Sequence, residues 1–180
     1  MDTALSIAPA TPADAPAIAE IYAHHVLHGT ATFEIAPPGA EEIASRLQRV
    51  QTAGWPWLVA RDATGAVLGY AYAAQLGSRA AYRLACESSI YLRHDRLGRG
   101  IGAALLAALI RACEEAGFRQ MVALIAGTQP ASIALHEKAG FTHCGKLRSV
   151  GRKHGQWLDL VYMQRPLGAG DSAPPTQEPL

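Results

Sequence analysis

No sign of charge dominates this chain. Lysine and arginine number 16, aspartate and glutamate 15, and the formal net charge is +1. That balance argues against a broad surface for nucleic acid or for an anionic membrane. Cysteine is scarce: Cys86, Cys113 and Cys144 stand apart with no paired spacing. Such scarcity argues against a disulfide framework or a zinc site, so no metal is expected. It points instead to a reducing compartment, the cytoplasm. No uninterrupted apolar run is as long as a membrane span. The N-terminus lacks the basic region and apolar run of a signal peptide. No internal repeat is visible. What is present is a 180-residue chain of which 49% is hydrophobic, enough for one domain with a sizeable core. That domain is placed at residues 1–167. The tail, 168–180, is rich in Pro, Ala and Gly and is expected to be disordered.

Periodicity divides the domain into strands and helices. Leu5-Ser6-Ile7 reads as a first strand. Thr11-Pro12-Ala13-Asp14 has the marks of a helix start, with Thr as N-cap, Pro in the first turn and an acid at the third position. Ile18, Ile21, Tyr22 and Val26 recur at helical spacing as far as His28-Gly29-Thr30. Residues 31–34 are expected to be extended. A second helix is expected over 40–52, closed by Gly54. Residues 57–61 and 67–74 read as a hairpin turning through Asp62-Ala63-Thr64-Gly65. A central strand spans 86–92. Ile101, Leu105, Leu109 and Cys113 then form one stripe of a helix that stops at Gly117. A strand at 121–125, a short helix at 130–139 and strands at 142–150 and 157–164 complete a mixed α/β pattern.

Residues 96–105, Arg-Leu-Gly-Arg-Gly-Ile-Gly-Ala-Ala-Leu, carry the strongest chemical signal. Glycines without Cβ atoms let backbone amides crowd around a bulky anion. The helix that follows points its positive dipole end and free N–H groups at the same spot. Arg96 and Arg99 can add charge-assisted contacts. Three phosphate-binding designs compete. A nucleoside-triphosphate loop needs Gly-Lys-Ser/Thr at its end, where this chain has Gly102-Ala103-Ala104. A dinucleotide fingerprint needs a third glycine, where this chain has Leu105, and a place near the start of a βαβ unit.

The third design is the pyrophosphate loop of the GNAT acetyltransferases, Gln/Arg-x-x-Gly-x-Gly/Ala, and residues 4–166 resemble that superfamily. The segment Gln129-Pro130-Ala131-Ser132-Ile133-Ala134-Leu135-His136-Glu137-Lys138-Ala139-Gly140-Phe141 is similar to its Asn-x-x-Ser/Ala-x-x-Leu-Tyr/His-x-x-x-Gly-Phe, which flanks the pantetheine arm of coenzyme A. Leu97 departs from the usual Gln/Arg and Gln129 from the usual Asn. A closer resemblance is to the phosphinothricin and methionine sulfoximine N-acetyltransferases. Residues 82–92, Tyr-Arg-Leu-Ala-Cys-Glu-Ser-Ser-Ile-Tyr-Leu, look like their Tyr-x-x-x-Val-Glu-x-Ser-Val-Tyr-Val, and residues 153–159, Lys-His-Gly-Gln-Trp-Leu-Asp, like their Lys-His-Gly-x-Trp-x-Asp. Thr30-Ala31-Thr32-Phe33-Glu34 sits where their first substrate loop lies.

The resemblance implies a central, mostly antiparallel twisted sheet with helices on both faces. It implies acetyl-CoA as co-substrate, a homodimer that shares the pocket, and direct transfer of acetyl to the α-amine of a small amino-acid analogue. Ile90, Tyr91, Leu92, Gly98, Arg99, Gly100, Ile101, Gly102, Ala103, Gln129 and Ser132 would hold the cofactor. Glu87, on an apolar strand where burial raises a carboxyl pKa, is the candidate base. His136 is the candidate donor to the departing thiolate. Arg83 could fork onto a carboxylate, Phe33 could wall the pocket, and Tyr82, Lys153 and His154 could add polar contacts. Structural readings stand beside these. Glu87 could be ion-paired, His136 could pack within its helix, Arg83 could be solvated, and Phe33 could belong to the core. Trp55-Pro56-Trp57 reads as core or dimer contact, and His24, His25 and His28 as a solvated helix face. A GNAT enzyme for a polyamine or a protein N-terminus, or a non-catalytic acetyl-CoA sensor, are the rival functions.

Overall fold

The structure, a computed structural model, describes residues 5–175. Its elements are β1 Ser6–Pro9, α1 Ala15–His28, α2 Ala40–Thr52, β2 Trp57–Arg61, β3 Val67–Gln75, β4 Ala85–Leu92, α3 Ile101–Glu115, β5 Gln120–Ala126, α4 Pro130–Lys138, β6 Thr142–Lys153 and β7 Gln156–Pro166. Among the described residues these strands form one seven-stranded sheet ordered β1-β2-β3-β4-β5-β7-β6. Every neighbouring pair is antiparallel except β4 and β5, which run parallel.

Strand alternation sorts the core onto two faces. Leu58, Ala60, Ala71, Cys86, Met121 and Met163 pack against the α3 stripe of Leu105, Leu106, Leu109 and Cys113, with Leu135 of α4 at its margin. Trp57, Val59 and Tyr70 face the other way, onto Ile18, Tyr22 and Val26 of α1 and Ile43 and Leu47 of α2. Trp57 is therefore core, stacked 4.2 Å from the Tyr72 ring. The expected start of α1 is a single 3-10 turn, Pro12–Asp14, that runs into the helix. Asp14 Oδ2 accepts the Thr11 N–H at 2.8 Å, and Asp14 Oδ1 pairs with Arg61 of β2.

Two local expectations change. Residues 30–32 are bends rather than a strand, because their polar groups are taken by side chains of other elements, described below. The last hairpin is longer than its apolar pattern suggests. β6 continues to Lys153, and the turn is His154-Gly155, with φ of 48° and 75°. Two central residues with positive φ make the type I′ turn that matches strand twist. Residues 168–173 of the tail are not free chain. Leu167 is fully buried, and Arg119 Nε and Nη2 donate to the carbonyls of Gly170 and Ala173, both at 2.8 Å. The tail's end, 176–180, lies outside the described residues.

Candidate active site

The parallel β4–β5 ladder runs from Ala85↔Gln120 to Ser88↔Ala123 and stops there. β4 stays paired with β3 as far as Leu92, and β5 with β7 as far as Ala126. The two central strands therefore diverge, and their facing backbone edges beyond Ser88 and Ala123 have no ladder partner. A cavity of about 610 Å³ fills the gap. Its walls are residues 88–92 of β4 and 123–126 of β5. Leu97, Gly98, Gly100, Gly102 and Ala103 close one end, and Gln129, Ser132, Leu135, His136 and Lys138 of the α4 segment flank it. Size and lining suit a small-molecule ligand.

The anion cradle forms the mouth of this cleft. Gly98 and Gly100 have φ of 71° and 77°, the left-handed region, and no atom lies within 4 Å of where a Cβ would stand. The space they leave open is where a bulky anion fits. Gly100 caps α3, whose first turn closes with Ala104 N–H to Gly100 O at 3.1 Å. A helix start leaves the preceding N–H groups, those of Ile101, Gly102 and Ala103, without intrahelical acceptors. Of the expected cofactor residues, Ile90, Tyr91, Leu92, Gly98, Gly100, Gly102, Ala103, Gln129 and Ser132 line the cleft. Ile101 does not: it is buried in the core cluster that packs around α3. Arg99 is an exposed loop residue outside the lining. Gln129 lines the cleft, but its Nε2 donates to Thr30 Oγ1 at 3.3 Å.

Glu87 stands one pair before the divergence, opposite Val122 of β5 and Ala74 of β3. It is half-buried, and burial raises its carboxyl pKa above the usual carboxylate value. Cys86 on one side of it points into the α3 core, so Glu87 faces the Tyr72 side, where Ser89 bonds the Tyr72 hydroxyl. His136 is only 2% exposed and lines the cleft. Its Nδ1 lies 2.8 Å from the Ser132 carbonyl oxygen, 4.9 Å separates its ring from that of Phe141, and burial lowers its pKa. A carbonyl oxygen only accepts, so the proton is on Nδ1. In the neutral ring Nε2 is then a bare lone pair, buried with no partner. An unpartnered buried acceptor costs about 1–3 kcal/mol.

The loop after α1 is ordered through contacts that residue patterns did not show. Tyr22 Oη donates to Glu34 Oε1 at 2.9 Å and accepts from Thr32 Oγ1 at 2.7 Å. Thr32 Oγ1 in turn accepts the Glu34 N–H at 3.2 Å. Arg46 of α2 reaches Glu34 Oε1 at 2.7 Å. Lys153, 5% exposed, donates from Nζ to the Thr32 carbonyl at 2.8 Å, and burial lowers its pKa. Lys153 is thus a strut of this loop. Phe33, partly exposed, lies over β6, where a Cβ at Gly151 would come within 2.5 Å of its ring. His154 is exposed in the hairpin turn, so its motif position answers to turn chemistry. Asp159 braces the β6 bulge, accepting from Ser149 N at 2.9 Å and pairing with Lys146 at 2.7 Å. Tyr82 and Arg83 lie in the β3–β4 connection, with Tyr82 exposed and its ring near Gly77.

Sequence reading missed His25 as well. It lines the cleft and donates from Nε2 to the Leu92 carbonyl at 2.7 Å, so α1 pins the end of β4. Tyr22 and His25 read from sequence as core stripe and helix face, and only the neighbours brought by folding reveal more. His24 stacks on His94 at 3.9 Å. No group of three or more metal-ligating side chains occurs among the described residues, and no helix among them is long and apolar enough to cross a membrane.

The sheet, its central divergence and the glycine cradle define an acetyltransferase class. A family pattern described as "Acetyltransferase (GNAT) domain" matches residues 7–162, and the chain belongs to that family. It is 48% identical over 163 residues to the phosphinothricin N-acetyltransferase of Alcaligenes faecalis, covering 90% of this chain and 82% of that one. It is 40% identical to the L-methionine sulfoximine/L-methionine sulfone acetyltransferase of Pseudomonas aeruginosa, covering 94% and 98%. The crystal structure of a GNAT superfamily phosphinothricin acetyltransferase from Sinorhizobium meliloti, in complex with AcCoA, superposes with a TM-score of 0.94. That protein is 47% identical, and the match covers 96% of this chain and 94% of that one.

Proposed function

We propose that the chain transfers acetyl from acetyl-CoA to the α-amine of a small amino-acid analogue, phosphinothricin and methionine sulfoximine being the leading acceptors. The divergence of β4 and β5 carries this reading, because it joins a strand-edge groove to a phosphate cradle. The cradle amides take the pyrophosphate, and the unpaired edges of Ser89–Leu92 and Leu124–Ala126 take the amide-bearing pantetheine arm between them. The thioester then lies near Ser88 and Ala123, beside Glu87.

The acceptor arrives as an ammonium ion, which has no lone pair with which to attack. Glu87, whose raised pKa suits a base working near neutral pH, removes one proton, directly or through water. The free amine attacks the thioester carbonyl. As the C–S bond breaks, the second nitrogen proton leaves and neutralises the departing thiolate. Strand N–H groups at the divergence stabilise the oxyanion between these steps. Phe33 and Arg83 bound the acceptor, while Lys153, Tyr22 and Arg46 hold the loop that carries Phe33. The exposed edge strand β6, with Leu147 and Val150 on it, supports a homodimer in which a second copy completes the pocket. Free cysteines suit a reducing cytoplasm.

Thiol release from acetyl-CoA over a panel of amines tests this. Turnover of phosphinothricin or methionine sulfoximine, without turnover of polyamines or peptides, is the expected result. Peptide or polyamine turnover would move the acceptor class, and tight acetyl-CoA binding without any turnover would replace the enzyme by a sensor.

A further inference from the structure

Among the described residues, Nε2 of His136 is the buried side-chain polar atom of the cleft lining that has no hydrogen-bond partner. The Ser132 carbonyl, 2.8 Å from Nδ1, fixes the tautomer, so Nε2 presents a lone pair and no proton. The ring is clamped by that bond and by the Phe141 edge contact, so it does not turn to exchange its two nitrogens without losing both. We propose that His136 is a hydrogen-bond acceptor for the pantetheine arm, taking an N–H or the terminal S–H at Nε2, and not the acid that protonates the thiolate. The inference rests on the reading of the cleft as an acetyl-CoA site.

The arm offers donors of two kinds. Its amide N–H groups are present in acetyl-CoA and in free CoA alike. Its thiol hydrogen exists only in free CoA, since the acetyl group replaces it in the substrate. An amide partner makes His136 a general cofactor contact. A thiol partner makes it a product contact, which tightens CoA relative to acetyl-CoA and slows release of product.

Substitution separates the two ring nitrogens. Asn at 136 keeps a donor for the Ser132 carbonyl and loses the distal acceptor. Gln keeps a distal polar group, and Phe fills the space with neither. Calorimetric titration of the full chain with acetyl-CoA and with CoA measures affinity without turnover, and thermal melts report whether each variant folds. His136→Asn and His136→Phe are expected to weaken binding by about 3- to 10-fold, the size of one hydrogen bond, with His136→Gln closer to wild type. Equal loss for both ligands assigns the amide, and loss confined to CoA assigns the thiol. Unchanged affinities in folded His136→Asn and His136→Phe overturn the proposal. So does a kcat that falls in those variants while affinities hold, with loss of a high-pH limb present in the wild type, the signature of a lost acid. Failure of the wild-type chain to bind acetyl-CoA would instead remove the cofactor reading, and the inference with it.

Discussion

Glu87 and His136 show what burial does to two titratable groups, one on β4 just before the strands diverge and one lining the cleft. Burial raises the carboxyl pKa and lowers the imidazole pKa, so both neutral forms are favoured. For Glu87 this sharpens a base: its charged form is available only as pH rises through a pKa above the ordinary carboxylate value. Activity should therefore fall as pH drops through that value. Glu87→Gln is expected to lower kcat/KM by about 10²- to 10⁴-fold and to abolish that acid limb. Rate profiles against pH for both proteins check it, and an unaltered limb would remove Glu87 from the chemistry. Tyr22 is a second residue whose hydroxyl does more than pack. Tyr22→Phe keeps the ring contact with Tyr91 and deletes the bonds to Thr32 and Glu34. It should cost about 1–3 kcal/mol in urea unfolding, since Thr32 and Glu34 lose a buried partner. It should also raise the acceptor KM more than the acetyl-CoA KM, because the loop it braces carries Phe33.

Among the elements, the loop between β4 and α3 depends most on backbone conformation. At Gly100 a side chain meets open space but a left-handed φ, which costs an L-residue about 1–2 kcal/mol. Gly100→Val should fold, move the first-turn amides, and weaken acetyl-CoA by about tenfold in calorimetry, with little change in acceptor KM. An unchanged acetyl-CoA affinity would show that the cradle amides hold no phosphate. This loop, β4 and the α4 segment were legible because their chemistry is local: glycines, a helix start and a strand adjoin in sequence. The stripe from Ile101 to Cys113 likewise gave its own face away. Loop 30–34 was not legible, because its order comes from Tyr22, Arg46 and Lys153, which lie as far as 121 positions away. The Lys153-His154-Gly155 motif also answers to a structural demand. A turn needs positive φ at two positions, and that demand produces a residue pattern as specific as a binding site would.

The whole molecule combines a pH-sensitive interior with an unprotected edge. Burial lowers the pKa of His24, His25 and His136, helped at His24 by the neighbouring histidines, first His94 and then His28. A histidine with a depressed folded pKa binds its proton more readily when unfolded. Stability is therefore full above the unfolded value of 6.5 and is lost as pH falls through the folded values. Urea unfolding should show a falling free energy below about pH 6.5, shallower in His24→Gln. A flat profile from pH 7.5 to 5 would show that these rings ionise freely in the native state. The edge is β6, which pairs with β7 on one side only and leaves most of its side chains exposed. Leu147 is 46% exposed, Val150 50% and, on β7 beside it, Trp157 62%. A long edge strand with apolar side chains is an association hazard unless something covers it. The proposed homodimer supplies a cover, and would place Phe33, which lies over β6, next to the second copy. Sedimentation equilibrium at micromolar concentration should give twice the 19.1 kDa chain mass. Leu147→Lys combined with Val150→Lys should shift that to the monomer and lower kcat/KM for the acceptor, while leaving acetyl-CoA affinity within about twofold, since neither residue lines the central cleft. A wild-type monomer, or a double variant that stays dimeric and fully active, would place the whole acceptor pocket within one chain.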